Sequence, residues 1–73
     1  MKIRVQALAG LMKEDLIQEM DVPAGCTVKE VSRNLPLKNT VYLIYLVNGS
    51  RVPEDYQLKE GDSLVIFPPV LGG

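Results

Sequence analysis

The chain has 73 residues, 47% of them hydrophobic and 23% charged, with a formal net charge of -1. A chain of that length forms one domain, near the lower limit for folding without disulfides or metals. Its balanced composition excludes disorder and any broad cationic field for nucleic acid.

The first stretch, KIRVQALA (Lys2 to Ala9), alternates, with Ile3, Val5 and Ala7 on one side and Lys2, Arg4 and Gln6 on the other. That period of two predicts a half-buried strand. Gly10 breaks it, LMKED makes a short loop, and LIQEMDV (Leu16 to Val22) alternates again with Leu16, Met20 and Val22 inward. Two alternating runs joined by a short glycine-containing loop read as a hairpin. In PAGCTVKEVSRNL, Thr27 is an N-cap candidate and Glu30 stands three residues later, the spacing of a reciprocal capping box. Val28, Val31 and Leu35 place a narrow apolar stripe on the helix, and Pro36 is expected to end it. About two turns are too few to persist alone, so packing has to hold them.

The run VYLIYLV (Val41 to Val47) is continuous, β-branched and aromatic, which predicts a central strand covered on much of both faces. Asn48-Gly49 is the strongest short hairpin signal. In SRVPEDYQL, Pro53 restricts any strand to a short edge piece. KEGD (Lys59 to Asp62) reads as a turn and SLVIF (Ser63 to Phe67) as the last strand, stopped by Pro68-Pro69. A helix between two strands of one sheet predicts a right-handed crossover between parallel neighbours. The fold class is therefore α+β, a mixed sheet of four to five strands on one short helix: a β-grasp domain over residues 1–67, with an extended tail at 68–73.

Few side chains are suited to catalysis. Histidine is absent and Cys26 is the single cysteine, which removes histidine acid–base chemistry, a Ser-His pair, a thiolate zinc site and a disulfide framework. No phosphate-cradling glycine motif is present. No apolar run approaches the roughly 20 residues that span a bilayer, and MKIRVQALAG lacks a signal-peptide core. The expectation is a cytoplasmic protein that meets neither membrane nor nucleic acid and binds no metal or cofactor itself.

Alternation places Ile44 and Leu46 on one outer face with Val65 and Phe67, a docking patch with Phe67 as aromatic anchor. Cys26 precedes the helix, where a dipole can lower a thiol pKa, but a lone cysteine is more often a small buried hydrophobe. Glu14, Asp15, Glu54, Asp55, Glu60 and Asp62 read as solvated turn residues. Tyr42, Tyr45 and Tyr56 read as packing and loop anchors. What remains is the end, FPPVLGG, an apolar proline-stiffened arm closed by two glycines, which suggests a partner groove rather than a stability role.

Asp55-Tyr56, Leu58, Leu64, Ile66 and Gly72-Gly73 stand where ubiquitin-like proteins have equivalents. The sequence Val47-Asn48-Gly49, then Gly61-Asp62, then Phe67-Pro68-Pro69-Val70 and Gly72-Gly73, resembles the ubiquitin-like sulfur carriers, above all the small subunit of molybdopterin synthase. The helix and its following loop are shorter than that subunit usually has, and Leu71 stands where the family often has a smaller residue. The resemblance implies that the Gly73 carboxylate is adenylated with ATP by a ubiquitin-activating-like enzyme and converted by a sulfur donor protein to a thiocarboxylate. The large subunit of molybdopterin synthase would then receive the tail, and sulfur would pass to the pterin precursor. On this resemblance Gly73 would be the reacting residue, and Gly72, Leu71, Val70, Pro69, Pro68, Phe67, Val65, Leu46 and Ile44 would contact partners. The catalytic groups would then belong to those partners, and the expectation is a carrier subunit and co-substrate rather than an enzyme. Three alternatives stand beside this: a thiamine-thiazole sulfur carrier, a ubiquitin-like modifier conjugated through Gly73, and a β-grasp binding module without terminal chemistry.

Overall fold

The structure is a computed structural model and describes residues 1–8, 16–35, 37 and 42–69. In chain order the elements are β1 (Lys2–Ala7), β2 (Leu16–Asp21), α1 (Val28–Arg33), β3 (Ile44–Val47), β4 (Ser50–Val52) and β5 (Ser63–Phe67). They form one mixed sheet in the order β2-β1-β5-β3-β4, with β1 and β5 parallel and the other neighbours antiparallel. This is the expected β-grasp arrangement. The LMKED loop, Pro36, Val41 and the tail positions Val70, Leu71, Gly72 and Gly73 lie outside the described residues, as does the side chain of Leu16.

Period-two patterning builds one buried sheet face. Ile3, Val5 and Ala7 of β1, Tyr45 and Val47 of β3, and Leu64 and Ile66 of β5 all point into the core. The helix answers with Val28 and Val31, which are 0% and 1% exposed. Each fully buried aliphatic side chain contributes about 1.5–3 kcal/mol relative to exposure, so this layer supplies the main driving force.

The short helix is held at its start by hydrogen bonds from outside it. Thr27 accepts from the Glu30 N–H through its hydroxyl, while the Glu30 carboxylate accepts from the Thr27 N–H, completing the capping box. The next orphan donors are also satisfied: Val28 N–H donates to the Tyr56 carbonyl and Lys29 N–H to the Glu54 carbonyl. On the far side the Ser32 hydroxyl meets the Tyr45 hydroxyl at 3.3 Å, tying α1 to β3.

Five expectations change. The helix ends at Arg33, capped by Asn34, rather than running to Pro36; Leu35 packs on the core from beyond it. Among the described residues of VYLIYLV, only Ile44–Val47 is strand, and its burial alternates, so one face is core and the other half-covered. The middle of the sheet is β5, flanked by β1 and β3. The strands joined through the helix, β2 and β3, are not neighbours, because β1 and β5 lie between them.

Asp62 is the fifth. It is 7% exposed rather than solvated, and its carboxylate accepts from the Asn48 side-chain amide at 3.0 Å and from the Lys59 N–H at 2.8 Å. The Asn48 amide oxygen in turn accepts from Ser63 N–H at 3.0 Å. Asn48 and Gly49 both have positive φ (51° and 87°), the type I′ hairpin geometry. One buried carboxylate thus fastens the β3–β4 turn to the entry of β5. Asp62→Ala strands these donors and is expected to cost about 2 kcal/mol, read as a lower urea midpoint with an unchanged m-value.

Candidate functional site

Since the alternation of β3 and β5 commits Tyr45, Val47, Leu64 and Ile66 to the core, the intervening residues must face outward. They meet in register: Ile44 stands opposite Phe67, and Leu46 opposite Val65. All four are half-buried, an apolar plate on the sheet face away from the helix. It continues along β1 and β2 through Gln6, opposite Val65, to Ile17, opposite Gln6 and 65% exposed.

The β4 side of the plate is charged. Arg51 lies opposite Leu46, and its Nη2 donates to the Tyr42 hydroxyl at 3.0 Å. Tyr42 is 57% exposed, so of the three tyrosines it alone is not packing; Tyr45 is buried and Tyr56 packs at the core margin. Ile17, Tyr42 and Arg51 escape sequence reasoning. Ile17 reads as the polar-side member of an alternating strand, and Tyr42 and Arg51 meet only once the hairpin has set their register.

The chain leaves β5 at Phe67, a corner of the plate, and Pro68 and Pro69 follow outside the strand, half-buried. A partner that covers Phe67 therefore also holds the root of the tail. Neither proline offers an N–H, so sheet pairing stops there.

Cys26 has no reactive surroundings. It is 5% exposed, its Sγ faces the Thr27 carbonyl at 3.6 Å, and burial, aided by the Glu30 charge, pushes the thiol pKa up. Its thiolate fraction at neutral pH is below that of a free cysteine, opposite to what a nucleophile requires. Among the described residues no three His, Cys, Asp or Glu side chains group as a metal site. Nor is any helix there long and apolar enough to cross a membrane.

Three comparisons bear on this geometry. The model of the ThiS family matches residues 5–73. No curated protein matches the chain. Among solved structures, SAMP1 from Haloferax volcanii is similar in fold, with a TM-score of 0.74 and 23% identity over 99% of each chain.

Proposed function

The chain belongs to the ThiS family of ubiquitin-like sulfur carriers, and from that premise we propose that it carries sulfur as a C-terminal thiocarboxylate for molybdopterin synthesis. The observation that carries this reading is the junction at Phe67. The outer plate ends at the strand end from which Pro68-Pro69 lead toward Gly72-Gly73, and the family match continues through residue 73.

The chemistry follows from a thin, reachable carboxylate. Six residues beyond Phe67 reach at most roughly 20 Å when extended, enough to enter a partner's active site while the plate stays docked outside. Glycine lacks a Cβ, so nucleotide and protein backbone can approach the last two residues closely. Prolines at 68 and 69 restrict the arm before binding and so reduce the entropy lost on threading. A Gly73 carboxylate oxygen attacks the α-phosphorus of ATP on a ubiquitin-activating-like enzyme, and pyrophosphate leaves. A donor protein's persulfide then attacks the acyl carbon and displaces AMP, and a second thiol cleaves the resulting acyl disulfide, releasing the thiocarboxylate and leaving a disulfide on the donor. The large subunit of molybdopterin synthase receives this end, with Val70 and Leu71 against apolar channel walls.

A thiamine-thiazole carrier is the second reading, favoured by the six-residue helix α1, short for a molybdopterin-synthase subunit. Both readings share the adenylation step and part at the acceptor. The discriminating experiment supplies thiocarboxylated chain separately to a molybdopterin-synthase large subunit with pterin precursor and to a thiazole synthase with its substrates. Dithiolene formation with only the first is expected. Thiazole formation with only the second would transfer the chain to thiamine synthesis, and isopeptide products on lysines would identify a modifier.

A further inference from the structure

The outward charges of the sheet are unevenly balanced. On the β2–β1 half, Lys2 stands opposite Asp21 and Arg4 opposite Glu19 in register, so an acid lies across from each cation although neither closes to an ion pair, and Asp21 pairs with the N-terminal ammonium at 3.4 Å. On the β5–β3–β4 half, the outward residues Ser63, Val65, Phe67, Ile44 and Leu46 are uncharged and Arg51 is the cation among them. The nearest acidic side chain in sequence, Glu54, is engaged with Lys29 at 3.6 Å. Arg51 forms no ion pair among the described residues.

Tyr42 gives that arginine a fixed position. Its hydroxyl accepts from one guanidinium nitrogen, and among the described residues the remaining donors have no side-chain partner and can address a carboxylate. The two residues, with Ile44, Pro53 and Glu54, line a concavity of about 460 Å³, room for a partner's side chain. An exposed tyrosine and a held, unpaired arginine at the margin of an apolar plate have the composition of an interface hot spot.

We propose that Arg51, positioned by Tyr42, is the charge-reading element of the docking face, and that the adenylating partner covers Phe67 and Ile44 with an apolar surface while presenting a carboxylate to Arg51. This rests on the sulfur-carrier reading for the partner's identity. A second copy of this chain is a poorer occupant: the outward strand residues of its β5–β3–β4 half present another Arg51 and, among the described residues, no acid, Glu54 at the margin is engaged with Lys29, and Asp21 and Glu19 on β2 stand opposite Lys2 and Arg4.

The test is steady-state pyrophosphate release by the adenylating enzyme with varied carrier concentration. Arg51→Glu is expected to lower kcat/KM by about 30-fold or more through KM, with kcat retained at saturation. Arg51→Gln should produce a smaller loss and flatten the fall of kcat/KM with added NaCl. Tyr42→Phe should lower kcat/KM a few-fold, and Arg4→Gln should stay within about two-fold of the parent. Circular dichroism melts keep folding defects separate. An Arg51→Glu value within about two-fold of the parent, or equal losses in Arg51→Gln and Arg4→Gln, would overturn the proposal. So would an unmodified chain that sediments as a dimer which Arg51→Glu dissociates. A parent chain that no adenylating enzyme activates overturns the carrier reading itself, an outcome distinct from the other three.

Discussion

A chain lengthened by one alanine after Gly73 is expected to lose adenylation to below about 1% of the parent rate while binding the adenylating enzyme within about two-fold of it. The addition moves the terminal carboxylate by one Cα–Cα step, about 3.8 Å. In-line attack on a phosphorus requires approach to roughly 3–3.5 Å, and a misplacement of about 1 Å alone can cost a hundredfold. The alanine also puts a Cβ where Gly72-Gly73 would leave the nucleotide and partner backbone in close approach. On the proposed reading docking uses the plate around Phe67, six residues before Gly73 in sequence, so affinity is expected to stay. Pyrophosphate exchange reads the first quantity and surface plasmon resonance the second. Equal adenylation of the lengthened chain would show that activation does not depend on the position of the Gly73 carboxylate and would overturn that role for Gly73.

The complementary variant is Phe67→Asp. Phe67 is half-buried at the last position of β5, opposite Ile44 on the outer face. A carboxylate there destroys the apolar plate and stands uncompensated against an apolar partner. Loss of such an anchor costs about 2–4 kcal/mol of binding, roughly 30- to 1,000-fold in Kd. Within the folded chain the side chain is already at the sheet surface, so the stability cost is about 1 kcal/mol and Tm falls by no more than about 8 °C. One residue earlier the balance inverts. Ile66 is 0% exposed, and Ile66→Ala costs about 2–5 kcal/mol through lost contacts and a residual cavity. That is much of the stability of a domain this small. Calorimetry alongside the binding assay separates the two: Phe67→Asp that melts like Ile66→Ala would mean that Phe67 belongs to the core and the plate is not a docking surface.

These neighbours also show why part of the molecule can be read from its sequence. SLVIF is bounded on both sides, by the Gly61-Asp62 turn and by Pro68, so the extent of the strand can be read, whereas its four consecutive apolar residues leave the choice of inner face to the fold. The capping box and the Asn48-Gly49 turn depend on residues within a few positions of each other, and both are present in the structure. VYLIYLV is continuous and contains no periodic signal; its strand begins only at Ile44, where pairing with Phe67 becomes available. Asp62 shows the opposite limit. A carboxylate in a KEGD turn looks solvated until the fold brings Asn48 against it, 14 residues away in sequence. The Tyr42–Arg51 contact likewise depends on the hairpin register. The apolar plate was legible because it follows from strand parity. Its charged margin was not, because parity says nothing about which cations find a cross-strand acid.

The central claim is that Gly73 is the reacting end, and mass spectrometry of the intact chain tests it most directly. After incubation with a ubiquitin-activating-like enzyme, ATP and a sulfide source, the chain is expected to gain the mass of one oxygen-for-sulfur exchange. Fragmentation should place that gain on Gly73, and omission of ATP should abolish it. An unchanged mass with every activating enzyme supplied, or a sulfur adduct located on Cys26, would contradict the account.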